Sequence, residues 1–149
     1  LLIIVGCGAI FTWVMGMENV PALVEETVND FNIHPALVLL VLNIVMLILG
    51  MFIDPTAAII LFIPILGTAA QAAGVNPIHF GAIAILNLNI GLLTPPLGVC
   101  LFAAERIAGC GLTVLLRETW PFLLVSLGAL MIVTYIPQLS LWLPSLLGF

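Results

Sequence analysis

"GMFIDPTAAIILFIP", residues 50–64, sets a carboxylate, a proline and a hydroxyl inside an otherwise hydrocarbon-like run. Asp followed by Pro and Thr, just before an apolar stretch, is a helix-start pattern. Asp54 suits the N-cap, and Pro55 suits N1, where no amide hydrogen is needed. Pro55 therefore begins a helix that runs from about Thr56 to Ala73, ending at "AAGVNP" with Gly74 as the C′ residue and Pro77 barring continuation. Upstream, "ALVLLVLNIVMLIL" (36–49) reads as an apolar helix halting at Gly50. At 1.5 Å per residue it covers roughly 21 Å, less than the ~30 Å hydrocarbon core. The two pieces predict a re-entrant hairpin over 34–74, with its tip inside the membrane.

Composition sets the class. Of 149 residues, 64% are hydrophobic and 6% charged, against about 25% charged in soluble domains. Unbroken apolar runs exclude a β-barrel, whose strands alternate. The fold class is an all-α polytopic membrane protein. With a net charge of −5 and two basic residues, nucleic acid is not a partner. Cys7, Cys100 and Cys110 form no CxxC pair and are expected to pack as small hydrophobes.

A second interruption follows. An apolar helix over 78–92 breaks at "LLTPPLG" (92–98) and resumes over 99–109. Pro95 and Pro96 lack amide hydrogens, and Pro96 pushes Pro95 out of the helical region. Carbonyls around Leu92, Leu93 and Thr94 should be left open. Asn87, Gly91 and Thr94 share one helix face. Asn43 and Asn89 are read as interhelical hydrogen-bonding residues. His34 and His79 lie near prolines at span ends.

The remaining segments are a truncated transmembrane helix (1–16), an acidic amphipathic surface arm (17–33), a last span (119–136) and an interfacial tail (137–149). Leu23, Val24, Val28 and Phe31 form the apolar side of the arm. Arg106 and Arg117 flank the loop before the last span, placing it in the cytoplasm, with arm and C-terminus outside. The opening "LLIIVGCGAIF" lacks a basic flank and reads as the middle of a helix, hence a fragment of a larger permease.

Discontinuous helices at mid-membrane build sites in secondary transporters: carbonyl ends hold cations, amide ends hold anions. Enzymatic readings fail, because Asp54 has no second carboxylate beside it in the apolar spans and no nucleophile–base or P-loop spacing occurs. A channel lacks a charge ring or carbonyl filter. The alternative is a non-transporting membrane subunit whose helix breaks serve packing.

"GMFIDPTAAIILFIPIL", "GVNPIHFGAIAILNLNIGLLTPPLGVCLF" and "WPFLLVSLGALMIVTYIPQLSLWLP" resemble the C-terminal part of the large membrane subunit of TRAP (tripartite ATP-independent periplasmic) transporters. The resemblance implies sodium-driven import of organic acids, such as dicarboxylates or sugar acids, across the inner membrane of a bacterial or archaeal cell. Implied partners are a periplasmic substrate-binding protein, a small membrane subunit and the missing N-terminal half of the permease. The implied fold is the second of two inverted repeats in an elevator-type transporter, with residues 34–149 in the transport domain.

Carried over by position, Gly50, Asp54, Thr56, Leu93, Thr94 and Pro95 would form the sodium site. Met51, Pro55, Ala57, Asn87, Gly91 and Pro96 would border the substrate. Backbone carbonyls would do most of the coordination, and Asp54 would chiefly hold the tip in shape. The chain departs from the family at Asn89, where many relatives carry an acidic residue.

Overall fold

A computed structural model of the chain describes residues 2–30, 34–95 and 98–146. Eight helices and no strand occur among them. Helices α1 (Leu2–Met17) and α2 (Val20–Asp30) meet at a 59° bend, where Asn19 takes a left-handed turn. The arm is helical as read, and Val24 and Val28 pack against the core. Leu23 differs: it is exposed, while Phe31 lies outside the described residues.

Helices α3 (Pro35–Phe52) and α4 (Pro55–Ala72) form the hairpin. Gly50 does not end the first arm, contrary to expectation. The helix runs two residues further to Phe52, because a buried glycine between well-packed turns weakens a helix without breaking it. Eighteen residues give about 27 Å, so shortness no longer argues for re-entrance. By length and composition, α3, α4 and α7 (Leu112–Tyr135) could each cross a membrane.

Three helices, α3, α4 and the next one, α5 (Pro77–Gly91), begin by one device. His34, Asp54 and Asn76 each precede a proline, which holds them extended (ψ 133°, 135° and 133°). Each side chain then accepts the N2 amide hydrogen: His34 Nδ1 from Ala36 at 3.3 Å, Asp54 Oδ1 from Thr56 at 2.9 Å, Asn76 Oδ1 from Ile78 at 2.8 Å. At the far end of α4, Gly74 takes φ +78°. Val75 N–H reaches Ala70 O and Gly74 N–H reaches Gln71 O, a Schellman closure.

Helix α5 (Pro77–Gly91) packs most extensively on α3, and α6 (Val99–Ala108) leads into α7. α7 starts earlier than the sequence predicts. Trp120 and Pro121 lie two turns inside it, and its N-terminus is set by Gly111 together with Glu105, whose Oε1 accepts Leu112 N–H at 2.8 Å. The tail forms a short helix, α8 (Gln138–Leu146). Cys7 and Cys100 face outward instead of packing inside.

The core lies between α3, α4 and α5: Leu42, Met46, Ala58, Ala70, Ile83, Ala84 and Leu88, all buried. In lipid, apolar burial drives little helix association, so small residues and polar bonds become the selective contacts. Both kinds occur where α3 crosses α5.

Candidate functional site

The site is built from two glycines. A Cβ on Gly91 would lie 2.6 Å from Gly50 C and 3.1 Å from Gly50 O; one on Gly50 would lie 2.9 Å from Leu88 O. The backbones of α3 and α5 therefore touch, in a way that no larger residue permits. Seven positions before Gly50, Asn43 meets Asn87, which is four positions before Gly91. The contacts advance together along both helices, so α3 and α5 run in the same direction.

Parallel helices that touch near their ends bring their C-termini to one level. Among the described residues, no backbone N–H donates to the carbonyls of Gly50, Met51 or Phe52 at the end of α3, nor to those of Leu92, Leu93 or Thr94 beyond α5. Each helix end carries roughly half a negative charge, and two such ends reinforce one another. Arg106 and Arg117, the basic residues of the chain, are exposed on α6 and α7. The arrangement favours a small cation held by backbone oxygens. No group of three His, Cys, Asp or Glu side chains gathers among the described residues.

Thr94 belongs to the same loop. Its N–H donates to Gly91 O at 2.9 Å, and its hydroxyl donates to Ile90 O at 2.9 Å. This fixes Oγ1 with its lone pairs free for a further contact. Leu93 is exposed and Pro95 half-buried. Pro96 lies outside the described residues. On the hairpin side Asp54 and Thr56 are exposed, whereas Met51, Pro55 and Ala57 are half-buried. Asp54 spends one carboxylate oxygen on the α4 cap. The amide end of α4 thus follows the carbonyl end of α3 after only Ile53 and Asp54.

Asn87 lies on the side of α5 that meets α3. It is fully buried, and Nδ2 donates to Asn43 Oδ1 at 2.7 Å and to Asn43 O at 2.9 Å. Asn43 Nδ2 donates in turn to Thr134 Oγ1 at 3.0 Å, so Asn43 is the interhelical bond the sequence suggested. Asn89 is not: its Nδ2 returns to Ile85 O on its own helix. Asn87 Oδ1 is buried and has no hydrogen-bond partner among the described residues.

The sequence reading missed three partners. Thr134 lies near the end of the apolar α7; its hydroxyl donates to Leu130 O and accepts from Asn43. His79 is buried between Thr134 O (3.2 Å) and Ser140 Oγ (2.5 Å), tying α8 to α5 and α7. Glu105 caps α7. Of the three, only His79 is singled out by the sequence, near Pro77 at a span end, and its partners lie 55 and 61 residues away.

Residues 1–139 match the family model described as "Tripartite ATP-independent periplasmic transporter, DctM component". The chain is 40% identical over 148 residues to the C4-dicarboxylate TRAP transporter large permease protein DctM of Pseudomonas aeruginosa, covering 99% of this chain and 35% of that protein. It is 37% identical to the sialic acid TRAP transporter large permease protein SiaM of Vibrio cholerae, over 94% of this chain and 33% of that protein. The isethionate TRAP transporter permease protein DctMQ of Oleidesulfovibrio alaskensis is 33% identical, over 95% of this chain and 22% of that protein. The chain thus spans about a third or less of the length of these curated relatives. With a family model matched along nearly its whole length, the chain belongs to the DctM-component family of TRAP transporter large permeases.

Proposed function

We propose that this chain forms part of a sodium-coupled importer of organic acids and contributes one sodium site to it. The observation that carries this reading is the convergence of two open helix C-termini at the Gly50–Gly91 contact. Carbonyl oxygens of the α3 end and of the Leu92–Thr94 loop hold the ion, with Thr94 Oγ1 at the rim. Asp54 keeps the tip in shape through its cap. The amide end of α4 beside the bound ion then favours a carboxylate, so ion and substrate stabilise each other.

The substrate class follows from the names carried by the relatives: C4-dicarboxylate, sialic acid and isethionate, all small anions. In the full assembly a periplasmic binding protein delivers the acid, and a small membrane subunit accompanies the permease in the inner membrane. The hairpin and broken helix move together as a transport-domain element of an elevator, with the C-terminus outside. The remaining length of the permease supplies the other half of the substrate site.

The test places Asp54→Ala and Thr94→Ala, singly, in the complete permease with its partners in liposomes. Uptake of succinate, sialic acid and isethionate is measured with and without an inward sodium gradient. Sodium-dependent uptake of one of them, lowered in both variants, is the expected result. Full uptake without sodium would remove the coupling ion, and unchanged uptake with unchanged sodium dependence in both variants would remove the site.

A further inference from the structure

The buried polar chain beneath the glycine contact has a fixed direction. Asn43 O accepts only, so Asn87 must turn its NH₂ towards it. That sets Asn43 Oδ1 as the second acceptor and leaves Asn43 Nδ2 for Thr134. The Thr134 hydroxyl hydrogen goes to Leu130 O, so Oγ1 receives from Asn43. Every link runs from Asn87 through Asn43 to Thr134 with no alternative assignment. α5, α3 and α7 are joined by one chain of donors.

The chain has two consequences for register. A slide of α3 along α5 would break both bonds from Asn87 Nδ2 at once, leaving buried amide groups unpaired in an apolar layer. The glycine contact adds to this: a methyl carried by Gly91 itself would meet the Gly50 backbone at 2.6 Å, so this approach requires glycine at Gly91. α4 has no such anchor: among the described residues its interhelical side-chain bond comes from Thr12 on α1, whose hydroxyl donates to Ile60 O at 3.3 Å. It is α3, whose carbonyl end faces the loop, that is held to the broken helix by polar side chains.

We infer that Asn87, Asn43 and Thr134 are positioning residues for the sodium site, setting the register in which the Gly50 and Gly91 carbonyl ends face each other. This rests on the sodium reading above. The residues touch no ion. They act by holding two backbone ends at one level, and Thr134, on a third helix, is the farthest member of the set. Asn87 Oδ1, at the start of the chain, is the acceptor left over. Donation through its own NH₂ strengthens it as an acceptor.

The test measures binding of radioactive sodium to the purified complete permease, separating affinity from the number of sites. Thr134→Val keeps shape and deletes the hydroxyl. It should weaken sodium affinity by a factor of roughly five, the size of one lost neutral hydrogen bond, at unchanged capacity. Thr134→Ser should restore wild-type affinity. Asn87→Asp, which sets an acceptor against both Asn43 oxygens, should weaken it further, and it serves as the second reading if Thr134→Val does not yield folded protein. Unchanged affinity in both Thr134→Val and Asn87→Asp overturns the inference, as does loss of capacity that Thr134→Ser fails to restore. Absence of saturable sodium binding in the wild-type permease overturns the sodium reading and this inference together, so the two failures are told apart.

Discussion

A methyl group added at Gly91 has no free space, because the atoms it meets are the backbone of Gly50. Gly91→Ala must part α3 from α5, and overpacking of this kind costs about 1–3 kcal/mol. The expected outcome is a lower unfolding temperature together with weakened sodium binding, both measurable on purified permease. Gly128→Ala, inside α7 where an added Cβ meets nothing within 4 Å, is the control that lowers neither. Asp54 gives the complementary case. If it acts as a cap, Asp54→Asn keeps uptake and its sodium dependence, while Asp54→Ala loses about 1 kcal/mol of stability; loss of sodium dependence in Asp54→Asn would make the charge itself a ligand. The cap was legible because Asp-Pro before an apolar run has a local cause. The burial of Asn87 was not legible, since its partner lies 44 residues away on another helix.

At the scale of elements, boundaries follow from hydrogen bonds more closely than from glycines. Gly50 looked like a stop and is a contact surface, while Gly74 looked like a stop and is one, because of these two glycines it is Gly74 that takes the left-handed conformation. α7 illustrates the opposite error. Its first two turns contain Arg117 and Glu118, so hydropathy alone delays the start to about Trp120. The Glu105 carboxylate accepting from Leu112 N–H fixes the true beginning. Glu105→Ala should therefore fray the first turn of α7, raising amide hydrogen exchange at its N-terminus at a cost of about 1 kcal/mol, whereas Glu105→Gln retains an acceptor and most of the protection. Equal exchange in wild type and Glu105→Ala would show that the cap contributes nothing.

At the scale of the whole molecule, two helix breaks far apart in sequence come to lie side by side because α3 and α5 run parallel and cross at glycines. The breaks, the caps and the apolar spans have local causes and can be read in order along the chain. The crossing is a tertiary fact, fixed by the buried bonds of Asn43, Asn87 and Thr134 and by close glycine packing. Two hairpin arms followed by a third helix parallel to the first is also an arrangement that leaves its carbonyl ends bare unless something fills the space between them. The most direct test is saturable binding of radioactive sodium to the complete permease, compared among wild type, Thr94→Ala and Gly91→Ala. The account predicts binding in the wild type, a weaker affinity in Thr94→Ala and a much weaker one in Gly91→Ala. Equal sodium affinity in all three proteins would contradict it.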